Sequence, residues 1–111
     1  MDNVSISSQE EIILLLVGNL QPNAYAYTIK KEMQEQLDKT VSLASIHTVL
    51  YRLEKYGLLK SSMGGVGTSR GGRSKRLYQL TTKGFTVVDE IRMVRNNLWN
   101  GISPNQYSFF Y

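Results

Sequence analysis

The stretch GTSRGGRSKRLYQL, Gly67 to Leu80, decides how the chain is read. Four cations (Arg70, Arg73, Lys75 and Arg76) and three glycines stand directly before a run that alternates like a strand. In RLYQLT, Tyr78 and Leu80 fall on one face and Leu77 and Gln79 on the other, the two-residue period of a half-buried strand. Upstream, GLLKSSM reads as a partner strand, which makes the glycine-rich segment GGVGTSRGGRSK the tip of a hairpin. Such a tip suits contact with a polyanion, although glycine-rich loops are also common on solvated hairpins.

The segments on either side are helical. LASIHTVLYRLEKYG carries Ile46, Val49, Leu50 and Leu53 at the i, i+3, i+4, i+7 spacing of one helix face. Ser42 caps this helix and Gly57 ends it in the C′ manner. Before it, AYAYTIKKEMQEQLDK predicts a helix with Tyr25, Ile29, Met33 and Leu37 inward and Glu32, Gln36 and the lysines outward. Pro22 separates that helix from an earlier one, capped by Ser7 or Ser8, with Glu10 and Glu11 in its first turn. IILLLV, running on to Gly18, makes this first helix apolar nearly all round and hence central. After the hairpin, TTKGFTVVDEIRMVRNNLWNGI predicts a long last helix capped by Thr81 or Thr82. The tail SPNQYSFFY is aromatic without a period. Three helices, a hairpin and a further helix give a mainly α fold with a small β-hairpin, a winged helix-turn-helix. The expected boundaries are 1–81 for the winged-helix domain, 82–102 for the last helix and 103–111 for the tail.

Composition narrows the chemistry. The chain of 111 residues suits one domain and contains no cysteine, so disulfides, thiolate metal sites and thiol nucleophiles are excluded. The apolar run Ile12 to Val17 is far too short to cross a bilayer, and the acidic, polar amino terminus is unlike a targeting signal. The expected location is the cytoplasm. Net charge is only +4, but between Lys55 and Val88 there are seven Lys or Arg and no acid. All nine acids lie outside that stretch, so the local field is positive and favours an anionic partner.

With the stripe of the third helix inward, Ala44, Ser45, Thr48, Tyr51, Arg52 and Lys55 turn outward and His47 lies at the flank. Small polar groups near the start approach base edges, and longer side chains further along reach phosphates. Ser42, at the cap, belongs to the same surface. Arg70, Arg73, Lys75 and Arg76 of the wing neutralise phosphates or enter the adjacent minor groove. Double-stranded DNA is the expected partner. Glu54 is the one acid on this helix and falls nearer the core edge.

These residues also carry a resemblance. SIHTVLYRLEKYGLLKSS (Ser45 to Ser62) resembles the recognition helix and first wing strand of the PadR family of bacterial transcriptional regulators. RGGRSKRLYQLTTKG (Arg70 to Gly84) resembles that family's G-G-R-x-x-x-x-Y-x-L-T-x-x-G wing and return strand, the more specific match. The likeness extends over about Glu11 to Leu98. AYAYTIKKEM departs from the family's H-G-Y-x-I segment in having Tyr25 for the histidine and Ala26 for the glycine, and His47 stands where tyrosine is frequent. The resemblance implies a homodimeric repressor, joined through the last helix, that presents two recognition helices to successive major grooves.

The last helix supports pairing on its own terms. Phe85, Val88, Ile91 and Leu98 form one stripe, and Val87, Val94 and Trp99 widen it beyond what packing on a small core requires. Val87, Ile91, Val94, Leu98 and Trp99 are therefore the expected dimer interface, rimmed by Arg92 and Arg95. Some multidrug-responsive members of the family stack planar cations between tryptophans of the dimer, so Trp99 is also the candidate contact for a small aromatic effector. It falls about one helical turn further from the wing than in those relatives. His47 is the only histidine and has no acid at ligand spacing, so no metal or cofactor is expected, and no catalytic motif emerges. Two other readings fit the composition: a winged-helix module that binds an acidic protein, and a drug-sensing protein for which DNA is secondary.

Overall fold

Ser7 and Glu10 open the first helix with a reciprocal cap: Glu10 N donates to Ser7 Oγ at 3.1 Å and Ser7 N donates to Glu10 Oε1 at 2.8 Å. The computed structural model describes residues 5–64 and 75–103. Its elements are α1 (Ser8–Leu20), α2 (Ala26–Leu37), α3 (Leu43–Lys55), β1 (Leu59–Gly64), β2 (Lys75–Leu80) and α4 (Thr82–Asn100). This is the order read from the sequence. The glycine-rich segment, with Arg70 and Arg73, lies outside the described residues, as do residues 104–111 of the tail.

α1 is the centre. It touches α2, α3, α4 and β2, and Ile13, Leu14 and Val17 have no exposure at all. Around them pack Ile29 and Met33 of α2, Ile46, Leu50 and Leu53 of α3, and Leu58, Leu59 and Tyr78 of the hairpin. α1 runs to Leu20, past Gly18, whose absent side chain lets Leu80 approach: a Cβ there would lie 2.9 Å from Leu80 Cδ1. Leu15 is the exception to the all-round burial, 45% exposed on the side that faces Phe85 and Val88.

α2 obeys its expected stripe only in the middle. Ile29 and Met33 are buried, but Tyr25 is the half-buried N-cap residue and Leu37 is exposed. A four-residue step overshoots one helical turn by about 40°, so a run of such steps winds off the core at its ends. Ala24 and Ala26 are buried in their place, small enough for α2 to start close against the core.

The strands pair antiparallel, from Leu59 with Leu80 to Gly64 with Lys75. Tyr78 N also donates to Ala24 O at 2.8 Å, so the segment before α2 occupies part of the outer edge of β2. Where the hairpin meets α4 the chain is tightly tied. Gly57 has φ 79°, and Thr81 Oγ1 donates to its carbonyl at 2.6 Å while accepting from Gly84 N at 2.9 Å. Gly84 sits so close to the turn after α3 that a Cβ would lie 2.1 Å from Leu58 O. No side chain fits there.

Candidate nucleic-acid interface

α3 is two-sided. Ser42 caps it, its Oγ accepting from Ser45 N at 3.1 Å, and Ile46, Val49, Leu50 and Leu53 are buried. On the opposite side Ala44, Ser45, His47, Thr48 and Lys55 are exposed, and Tyr51 is 65% exposed. Thr48, Tyr51, Arg52, Glu54 and Lys55 line an open groove along the last turns of the helix. A second shallow groove runs past Ser42, Ser45 and Thr48 toward Gln9 of α1. A large aromatic ring standing in water among cations is unusual for a helix otherwise finished on its buried side.

Two of the cations expected on this surface are held by acids. Arg52 Nη1 donates to Glu10 Oε2 at 2.9 Å, and that carboxylate is 6% exposed while the Arg52 side chain is 41% exposed. Glu10 thus serves both the cap of α1 and the recognition surface of α3. The sequence showed it only as a favourable first-turn charge; the S-x-x-E spacing reveals the cap, but nothing local reveals Arg52. The second case is indirect. Arg76 Nη1 donates to Ser61 Oγ at 2.9 Å, and Ser61 Oγ donates to Glu54 Oε2 at 2.8 Å. Through this hydroxyl, β2 is tied to β1 and to Glu54 of α3, which lines the groove with Tyr51 and Lys55.

Lys75 goes elsewhere. Its Nζ sits 4.5 Å from the centroid of the Tyr25 ring and donates to Tyr25 Oη at 3.3 Å. Tyr25 in turn stacks on Tyr27, which is 56% exposed. Arg70 and Arg73 lie outside the described residues. Beneath the interface, burial above all, and then the nearby Glu54 charge, raise the Tyr78 phenol above its usual 10.0. Among the described residues no group of three or more His, Asp or Glu could hold a metal ion. No described helix is long and apolar enough to cross a membrane.

On α4 the expected interface residues divide. Val87 and Ile91 are half-buried, whereas Val94, Leu98 and Trp99 are 57%, 70% and 70% exposed. Arg95 pairs with Glu11 of α1 at 2.8 Å, and Arg92 pairs with Asp89 at 2.7 Å. Both arginines border the groove formed by Leu15, Phe85 and Val88.

A three-helix core, a hairpin whose base leans on the third helix, and an open cationic face on that helix define a winged helix-turn-helix protein. The comparisons carry this to a family. Residues 13–90 match the PadR-like family of transcriptional regulators, and the chain belongs to that family. Among solved structures it is similar to a PadR-like transcription factor from Bacteroides fragilis, with 26% identity, TM-score 0.70 and 83% of this chain aligned to 84% of that one. It is also similar to a PadR family regulator from Clostridium difficile R20291 (26% identity, TM-score 0.64, 86% and 96% of the chains). A third is a PadR-like regulator from Bacillus cereus, at 25% identity and TM-score 0.59, with 85% and 93% of the chains covered. No curated protein sequence matches. The chain is a DNA-binding transcriptional regulator and not an enzyme.

Proposed function

We propose that two copies of this chain join through α4 and act as a sequence-specific repressor. α3 reads base edges in the major groove, and the wing holds the flanking backbone. The observation that supports this reading is the Arg76–Ser61–Glu54 link, which ties a wing cation to α3; in this reading one duplex meets both. Ala44, Ser45, His47 and Thr48 are the candidates for base contacts, with Ser42 at the cap. Tyr51, Arg52, Lys55, Lys75 and Arg76, and Arg70 and Arg73 of the loop, are those for the backbone. Arg52, whose charge is offset by its direct pair with the Glu10 carboxylate, is the weaker contact. Val94, Leu98 and Trp99 are the apolar surface on which a second copy closes. A small aromatic effector at Trp99 fits the same surface and would act by changing how the two copies meet. A regulator works where the DNA is, which keeps the cytoplasm in this reading.

The test is duplex binding across a salt series. Replacing Arg73 and Arg76 with alanine is expected to weaken binding to all sequences alike and to flatten the slope of log affinity against log salt by about 1 to 2. An unchanged slope with collapsed discrimination between sequences would reverse the roles given to the wing and α3.

A further inference from the structure

We propose that Ser61 and Glu54 are positioning residues that hold Arg76 ready for the duplex, an inference that rests on the DNA-binding reading above. The chemistry of the three groups permits only one direction of hydrogen bonding. A guanidinium has no acceptor and a carboxylate has no proton to give, so the hydroxyl between them must accept from one and donate to the other. The distances fit: 2.9 Å from Arg76 Nη1 to Ser61 Oγ, and 2.8 Å from Ser61 Oγ to Glu54 Oε2.

The fold places the three together. Ser61 pairs with Tyr78 and Met63 with Arg76, so Ser61 and Arg76 are diagonal neighbours on one face of the hairpin, within reach of a long side chain. Glu54 and Ser61 are half-buried, whereas Arg76 is exposed. Among the described residues Glu54 makes no direct ion pair, and the hydroxyl bridges its carboxylate to Arg76. Among the described residues Arg76 uses one of its five N–H donors, in this bond, which leaves the others for a phosphate or a base edge. An untethered arginine must be immobilised on binding, and a tethered one is already aimed.

A double-mutant cycle tests this on a duplex selected by the wild-type chain, with thermal melts confirming that each variant is folded well above the assay temperature. Ser61→Ala is expected to weaken binding about three- to tenfold with the salt slope unchanged, because no charge is lost. Arg76→Ala weakens binding and lowers the slope by about 1. In the Arg76→Ala background, Ser61→Ala has no further effect, and Ser61→Thr, which keeps the hydroxyl, binds like wild type. An equal loss from Ser61→Ala with and without the Arg76 side chain overturns the proposal, as does no loss at all. If the wild type binds duplex DNA but Arg76→Ala changes neither affinity nor slope, the positioning role falls and the DNA-binding reading stands. A wild type with no salt-dependent duplex binding sinks both.

Discussion

Two regions of this chain are exposed in opposite ways. Around α3 and the base of the hairpin, apolar side chains such as Ile46, Leu50, Leu53, Leu58, Leu59 and Tyr78 are almost fully covered, and what faces out is polar or cationic apart from Leu43, Ala44, Tyr51, Tyr56 and Met63. Along the far half of α4, Met93, Val94, Leu98 and Trp99 are all more than half exposed. The first surface is stable in water and suited to a hydrated, charged partner. The second resembles a core that has been cut open, since apolar area left in water costs on the order of 25 cal/mol per Å². One chain therefore displays two kinds of contact, and they are separable by mutation.

The strongest way to break the contrast is at the joint that both regions share. Gly84→Val places side-chain atoms where Leu58 O already stands, and the expected loss is about 3 kcal/mol or more, seen as a large drop in the urea midpoint. A variant that melts like wild type would mean that α4 can lift away from the hairpin. Next comes the far end of α4. Leu98→Asp combined with Trp99→Asp is expected to cost association about 2 kcal/mol or more while leaving far-UV dichroism unchanged, with sedimentation showing monomers. If the variant associated as the wild type does at the same concentration, the proposed interface would lie elsewhere.

The smallest effect sharpens the buried side of the comparison. The Tyr78 phenol titrates above 10.0 in the folded chain because burial, and then Glu54, oppose its ionisation. The unfolded chain loses that proton first, so the stabilisation is complete below pH about 10 and fades as pH rises through the folded value. Tyr78→Phe removes the ionisable hydroxyl, for which no hydrogen bond is present among the described residues, so stability at neutral pH should change little. In strong alkali the variant should become the more stable of the two, measured by chemical denaturation, and parallel curves would mean that the hydroxyl is well hydrated.

What was legible in the sequence was what local spacing controls. The inward stripe of α3, its Ser42 cap and the Gly57 stop all follow from periods and backbone preferences within one element, and they stand in the structure. α2 was legible only at Ile29 and Met33, because a strict four-residue repeat does not stay on one face. The partnerships of the site were not legible. Glu10 and Arg52 are 42 positions apart, and no local signal pairs them. Lys75 and Arg76 read as one cationic cluster, yet the alternation that separates Leu77 from Tyr78 also separates them, sending one to Tyr25 and the other toward α3. The resemblance marked Gly84 as part of a motif, but its reason, a carbonyl oxygen from a distant turn, is visible only in the fold.

That turn has a mechanical consequence. Thr81 N and Oγ1 bond to the carbonyls of Leu58 and Gly57, Lys83 Nζ bonds to that of Tyr56, and Gly84 rests on Leu58. The end of α3 and the start of α4 are thereby tied into a bent lever. In the pairing proposed above, a tilt between the far arms of two such levers would be passed to the near ones, and the spacing of the DNA half-sites would become a gauge of that tilt.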